Sequence, residues 1–197
     1  MKYLKIITKA IALLVLAGVG ANAAEPQYFN LSPAEIVASI NQKMRAVADE
    51  TNTSYDHLEP PKIASDIGGK KFFSSTYVGG EKDITTLLMF ETSQNGKVHN
   101  ISIASMSGYA SPGGIFLYDS SLALSLIQTL NPKSTVPKTR AYSGDIMNEM
   151  IKKMKTMRNG RLSVSSDNVK YKLEISESNT QSLGKIWGLE IDATPLR

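Results

Sequence analysis

The stretch ITTLLMFETSQNGKVHNISIASM, residues 84–106, decides the fold. Two runs rich in apolar and β-branched residues, Ile84 to Thr92 and Val98 to Met106, flank Asn95-Gly96. That dipeptide favours a tight hairpin because both of its residues tolerate the positive φ such a turn requires. A two-residue turn there pairs residues whose numbers sum to 191, so that Phe90 faces Ile101, Leu88 faces Ile103 and Thr92 faces His99. Strand side chains alternate between faces, so these pairs share one. That face is apolar enough to meet a layer of helices. The other carries Leu87, Met89, Asn100 and Ser102, a mixed set.

Upstream, Phe72 to Val78 is aromatic and β-branched and stops at Gly79-Gly80, which reads as a strand. Thr51 to Gly69, with Pro60-Pro61 and Gly68-Gly69, reads as a polar connection. Before it, Ser32-Pro33-Ala34-Glu35 is a capping box with proline at the first helical position. Leu31 and Ile36 are spaced for a hydrophobic staple. Ile36, Val37, Ile40, Met44 and Val47 then fall on one face of a helix expected to reach about Asp49.

Downstream, Gly108 to Gly114 breaks the strand pattern. Ser120 to Leu130 has helical spacing and is ended by Asn131-Pro132. A second amphipathic segment after Ser143 is lined by Ile146, Met147, Met150, Ile151, Met154 and Met157 and closed by Asn159-Gly160. Leu162 to Ser165, Val169 to Ser176 and Leu183 to Asp192 read as strands, the middle one with strict apolar–polar alternation. The expected fold class is α+β, an antiparallel sheet with helices packed on one face. The order α-βββ-αα-βββ implies two similar halves. As an architecture it resembles small secreted inhibitor folds and TATA-binding-protein-like folds.

Residues 1–23 read as a signal peptide: Lys2, Lys5 and Lys9, the apolar run Ala10 to Gly20, then Ala21-Asn22-Ala23 as a cleavage signal. Residues 24–197 are then a single domain, expected to be periplasmic or secreted and soluble once the leader is removed. The whole chain carries 22 Lys+Arg against 18 Asp+Glu. Without the three leader lysines the balance is 19 against 18, or +1. A near-neutral chain lacks the basic excess that neutralising several phosphates requires, so no nucleic-acid partner is expected. With no cysteine there is no disulfide, thiolate metal site, thiol nucleophile or lipid-bearing cysteine. No second apolar run is long enough for stable membrane insertion.

Catalytic signatures are sparse. His57 and His99 are the two histidines, and neither has ligand spacing to a partner, so no metal or other cofactor is expected. His57 follows Asp56 in a loop; His99 is expected opposite Thr92. Ser105-Met106-Ser107-Gly108 lacks the strand-to-helix context of a nucleophile elbow. Glu174, Glu177, Glu190 and Asp192 lie on the last two strands and are candidates for a hydrolytic carboxylate pair. The methionine stripe offers adaptable apolar surface for a core or a groove. The glycine-rich segment Gly108 to Gly114 and the residues after it are the better recognition candidate, with Tyr109, Phe116 and Tyr118 as binding residues. The expected function is an exported binding protein, an inhibitor or immunity-like partner of an envelope enzyme. The alternatives are an envelope hydrolase using paired carboxylates and an apolar small-ligand carrier.

Overall fold

A computed structural model describes residues 27–51, 56–79, 84–108, 112–131, 160–166, 168–180 and 184–196. Residues 1–26, Tyr109 and the methionine-lined segment lie outside the described residues.

Helix α1 (Pro33–Thr51) begins as its capping box dictates. The Glu35 amide donates to Ser32 Oγ at 3.3 Å, and Glu35 Oε2 accepts from the Ser32 amide and hydroxyl at 2.7 Å each. These bonds satisfy amides that a helix start otherwise leaves bare, and they hold the Glu35 carboxyl below its usual range. Ile36, Val37, Ile40, Met44 and Ala48 are the buried side.

Eight strands form one sheet: β1 (His57–Leu58), β2 (Lys62–Ile67), β3 (Lys70–Val78), β4 (Ile84–Thr92), β5 (Val98–Ser107), β6 (Gly160–Ser166), β7 (Val169–Thr180) and β8 (Gly184–Pro195). The order across it is β1-β3-β4-β5-β8-β7-β6, with β2 also paired to β3 and every neighbour antiparallel. Strands β1 and β2 occupy the stretch read from sequence as a plain connection. Strand β2 is exposed along nearly its whole length, so it carries no apolar alternation to announce it. Gly68 and Gly69, at φ 60° and 79°, make the two-residue turn into β3.

This margin of the sheet is blunted against strand recruitment. Pro60-Pro61 splits it, the register shifts between Ile63 and Ser65, and Lys62 adds charge. Asn41 of α1 covers β1 from outside: its side chain donates to Leu58 O at 2.9 Å and accepts from the Leu58 amide at 2.8 Å.

The β4–β5 hairpin has the expected pairs Leu88–Ile103 and Phe90–Ile101. Its turn is one residue longer than expected. Gly96 N donates to Ser93 O at 3.0 Å, Ser93 N to Lys97 O at 2.9 Å, and Gly96 sits at φ 79°, a turn followed by a left-handed glycine. Thr92 therefore pairs with Val98, and a bulge at His99 restores the expected register at Glu91–Asn100. Val98 is fully buried in the place expected for His99.

Helix α2 (Pro112–Leu130) begins well before Ser120. Gly113 and Gly114 are poor helix formers and disguise its first turns. Ile115, Leu122, Ala123, Leu126 and Ile127 join the α1 residues in one core with the sheet, and Ser39 and Thr129 link the helices at 3.0 Å. Two rungs carry that core across the strands: Ser75–Leu88–Ile103–Ile191–Leu173 and Phe73–Phe90–Ile101–Ala193–Tyr171. The architecture is an antiparallel sheet with both described helices on one face. No helix among the described residues is long and apolar enough to cross a membrane.

Candidate functional site

The face of the sheet turned away from these helices carries the densest polar chemistry in the described structure. Alternation along β5, β8 and β7 puts Ser102, Asp192 and Lys172 on one rung, and Ala104, Glu190 and Glu174 on the next. Asn100 Nδ2 donates to Ser102 Oγ at 3.4 Å, and Ser102 Oγ donates to Asp192 Oδ1 at 2.5 Å. Lys172 Nζ lies 3.2 Å from Glu174 Oε2 and 3.8 Å from Asp192 Oδ2. One ammonium thus serves two carboxylates, with Glu190 beside them.

Glu190 takes the consequence. Burial, then the charges of Asp192 and Glu174, push its carboxyl up to about 7 against the opposing pull of Lys172. It holds a proton near neutrality and shares a hydrogen bond with Asp192. On the same face, Leu87, Met89, Ala104 and Met106 form an apolar strip next to the charged one.

At the turn end of this face, Glu91 Oε1 accepts from Lys70 Nζ at 2.5 Å and lies 3.1 Å from His99 Nε2. Burial alone would raise the Glu91 carboxyl. Its bonds to His99 and Lys70 and their charges prevail and bring it down to about 2. Tyr28 meets the His99 ring edge-on at 6.0 Å, and Lys97 Nζ stands 5.8 Å from the Tyr28 centroid. His99 Nδ1 and Asn100 Oδ1, adjacent on the bulge, are buried without a hydrogen-bond partner.

The structure brings Glu174, Glu190 and Asp192 together, as the sequence candidates required. Glu177 is excluded from the group, because it pairs with Trp187 on the opposite face. His99 is corrected from a partner of Thr92 to a partner of Glu91, since the bulge turns it across the sheet. Lys70, Glu91, Ser102 and Lys172 were not singled out by sequence. Cross-strand contact selects them, between neighbouring β3 and β4 for Lys70 and Glu91 and across the distant strands β5, β8 and β7 for Ser102 and Lys172, and only the alternation around Lys172 hinted at it. Among the described residues, no three His, Asp or Glu side chains are placed to hold a metal ion.

The expected binding residues lie elsewhere. Tyr109 is outside the described residues, Phe116 falls within α2, and Tyr118 on α2 stacks edge-on against Tyr77 at 5.5 Å and 71°. Tyr77 Oη donates to Asp56 Oδ2 at 3.1 Å and lies 3.4 Å from Ser121 Oγ. Burial holds that phenol protonated beyond its ordinary range. A Cβ on Gly79 would stand 2.9 Å from both Asp56 Cγ and Tyr118 Oη. Gly79→Ala is expected to cost roughly 1–2 kcal/mol by overpacking. Adding Tyr118→Phe should return part of that loss in urea unfolding, whereas strictly additive effects would show that the Tyr118 hydroxyl is not the obstacle.

The chain matches no known protein family, no curated protein and no solved structure.

Proposed function

We propose that this chain is an exported, non-enzymatic binding protein, an inhibitor or immunity-like partner of an envelope enzyme, and that it meets its partner through the sheet face opposite the helices. The observation that carries this reading is the apolar strip Leu87–Met89–Ala104–Met106 lying against the charged cluster of Asp192, Lys172, Glu174 and Glu190. Protein interfaces combine an apolar centre with polar and charged surroundings in this way. Neighbouring His99 Nδ1 and Asn100 Oδ1 add buried polar atoms with unused hydrogen-bonding capacity. The central pairing of β5 with β8 is what two similar halves joined at their last strands would give, and it supports the two-halves reading.

A second reading is favoured by Glu190 alone. A carboxyl that keeps its proton beside a carboxylate is the pairing that acid–base hydrolysis uses. One set of variants separates the two. Met106→Lys and Glu190→Lys, each first shown to melt like wild type, should weaken capture of the envelope partner about tenfold or more. Loss with Tyr118→Ala but not with these would move contact to the α2 corner. Fragments released from envelope polymer by wild type but not by Glu190→Gln would establish the hydrolase.

A further inference from the structure

Asp119 is fully buried on α2, where it meets β4 and β5. Three oxygen-bearing side chains form a closed triangle there. Thr86 Oγ1 lies 2.8 Å from Asp119 Oδ1, Ser105 Oγ bonds Asp119 Oδ2, and Thr86 Oγ1 lies 2.9 Å from Ser105 Oγ. Each contact needs one proton, so the triangle needs three.

The two hydroxyls bring one proton each. With Asp119 ionised, both hydroxyls can donate to it, but nothing is left to join Thr86 to Ser105. With Asp119 neutral the circle closes. The carboxyl O–H donates to Ser105 Oγ, the Ser105 hydroxyl to Thr86 Oγ1, and the Thr86 hydroxyl to the remaining Asp119 oxygen.

We propose that this ring is a pH-sensitive latch seating α2 on the sheet, closed while Asp119 is protonated and opened at one link when the proton leaves.

The surroundings supply no competing charge. Asp119 is the only Asp, Glu, Lys, Arg or His buried among the described residues. On the elements packed around it, the titratable groups on the core side are Tyr77 of β3, bonded to Asp56, Lys71 at the other end of β3 beside Thr92, Tyr118 of α2, Tyr171 of β7, bonded to Asn131, and Glu177 at the end of β7. No such group on α1, β4, β5 or β8 is buried among the described residues. Burial accordingly outweighs the hydroxyl bonds and lifts the Asp119 carboxyl to about 6.

The sign follows from linkage. An acid whose folded pKa is raised contributes fully below its unfolded pKa, near 4, and that contribution is lost as pH rises through about 6. Between pH 5 and 7.5 the unfolding constant should rise about tenfold from this group. Glu190 shifts in the same direction, so the comparison is made in a Glu190→Gln background.

The decisive variant is Asp119→Asn. Its amide N–H can donate to Ser105 and its carbonyl can accept from Thr86, so it closes the ring at every pH. Its urea midpoint should stay flat where that of the parent falls. Direct titration of the Asp119 carboxyl carbon by NMR in the otherwise wild-type chain should show a midpoint about two units above ordinary aspartate. Parallel pH profiles for parent and Asp119→Asn, or an NMR midpoint in the ordinary aspartate range, overturns the latch. Should Asp119→Asn fail to fold, the NMR midpoint decides alone.

Discussion

Phe90→Ala is expected to lower stability by about 3–5 kcal/mol. Phe90 is 1% exposed and sits mid-rung, with Phe73 on one side and Ile101 on the other, while Ala193 follows Ile101. Truncation removes most of a large apolar side chain from a place its neighbours cannot fill. The strands on either side are held at their spacing by backbone hydrogen bonds, so they cannot close over the gap. Phe72→Ala, one residue from the Phe73 end of that rung but on the other face and only partly buried, should cost about 1 kcal/mol. Urea unfolding with an unchanged slope checks both. Equal losses would show that the face of the sheet does not decide burial in the way described.

The second large effect is at the acid end of the pH range. Glu91 in the folded chain is depressed to about 2 because His99 and Lys70 hold its charged form against the cost of burial. A depressed acid contributes stability above its unfolded pKa, near 4.5, and loses it as pH falls toward the folded value. Half-exposed Lys70 lets solvent screen part of the interaction, which leaves roughly 2 kcal/mol in play. Glu91→Gln should therefore be about that much less stable at pH 7 and should lose little more on acidification, whereas wild type declines steeply between pH 4 and 2. A variant that follows the wild-type curve in parallel would assign acid lability to other carboxylates. Asp119 and Glu190 act in the opposite direction.

What was legible in the sequence follows from how locally each feature is encoded. The capping box of α1, the strands of the hairpin and the alternation of β7 are written in neighbouring residues, and each forms as read. Strand β2 was hidden because an exposed margin needs no apolar pattern, and the first turns of α2 because Gly113-Gly114 looks like a break. The hairpin register came out right although the turn did not. A loop one residue longer and a bulge of one residue cancel by Phe90–Ile101, and His99 alone bears the difference. The carboxylate group was visible as residue types on two strands. Its lysine, its serine and its relation to Glu91 depend on β5 lying beside β8, which no local pattern records.

That central pairing also governs the order in which the molecule is completed. Ser102 and Asp192, bonded across β5 and β8, are 90 residues apart in the chain. The β3–β4–β5 meander can form from near neighbours, yet one long border of β5 stays bare until a distant strand is delivered to it. Closing so large a loop is entropically costly before any contact repays it, so the pairing of β5 with β8 is the expected slow step of refolding. In that interval the chain presents an unpaired edge to anything nearby. A helper that shields a single strand, rather than one that encloses a whole collapsed chain, is the assistance this topology calls for.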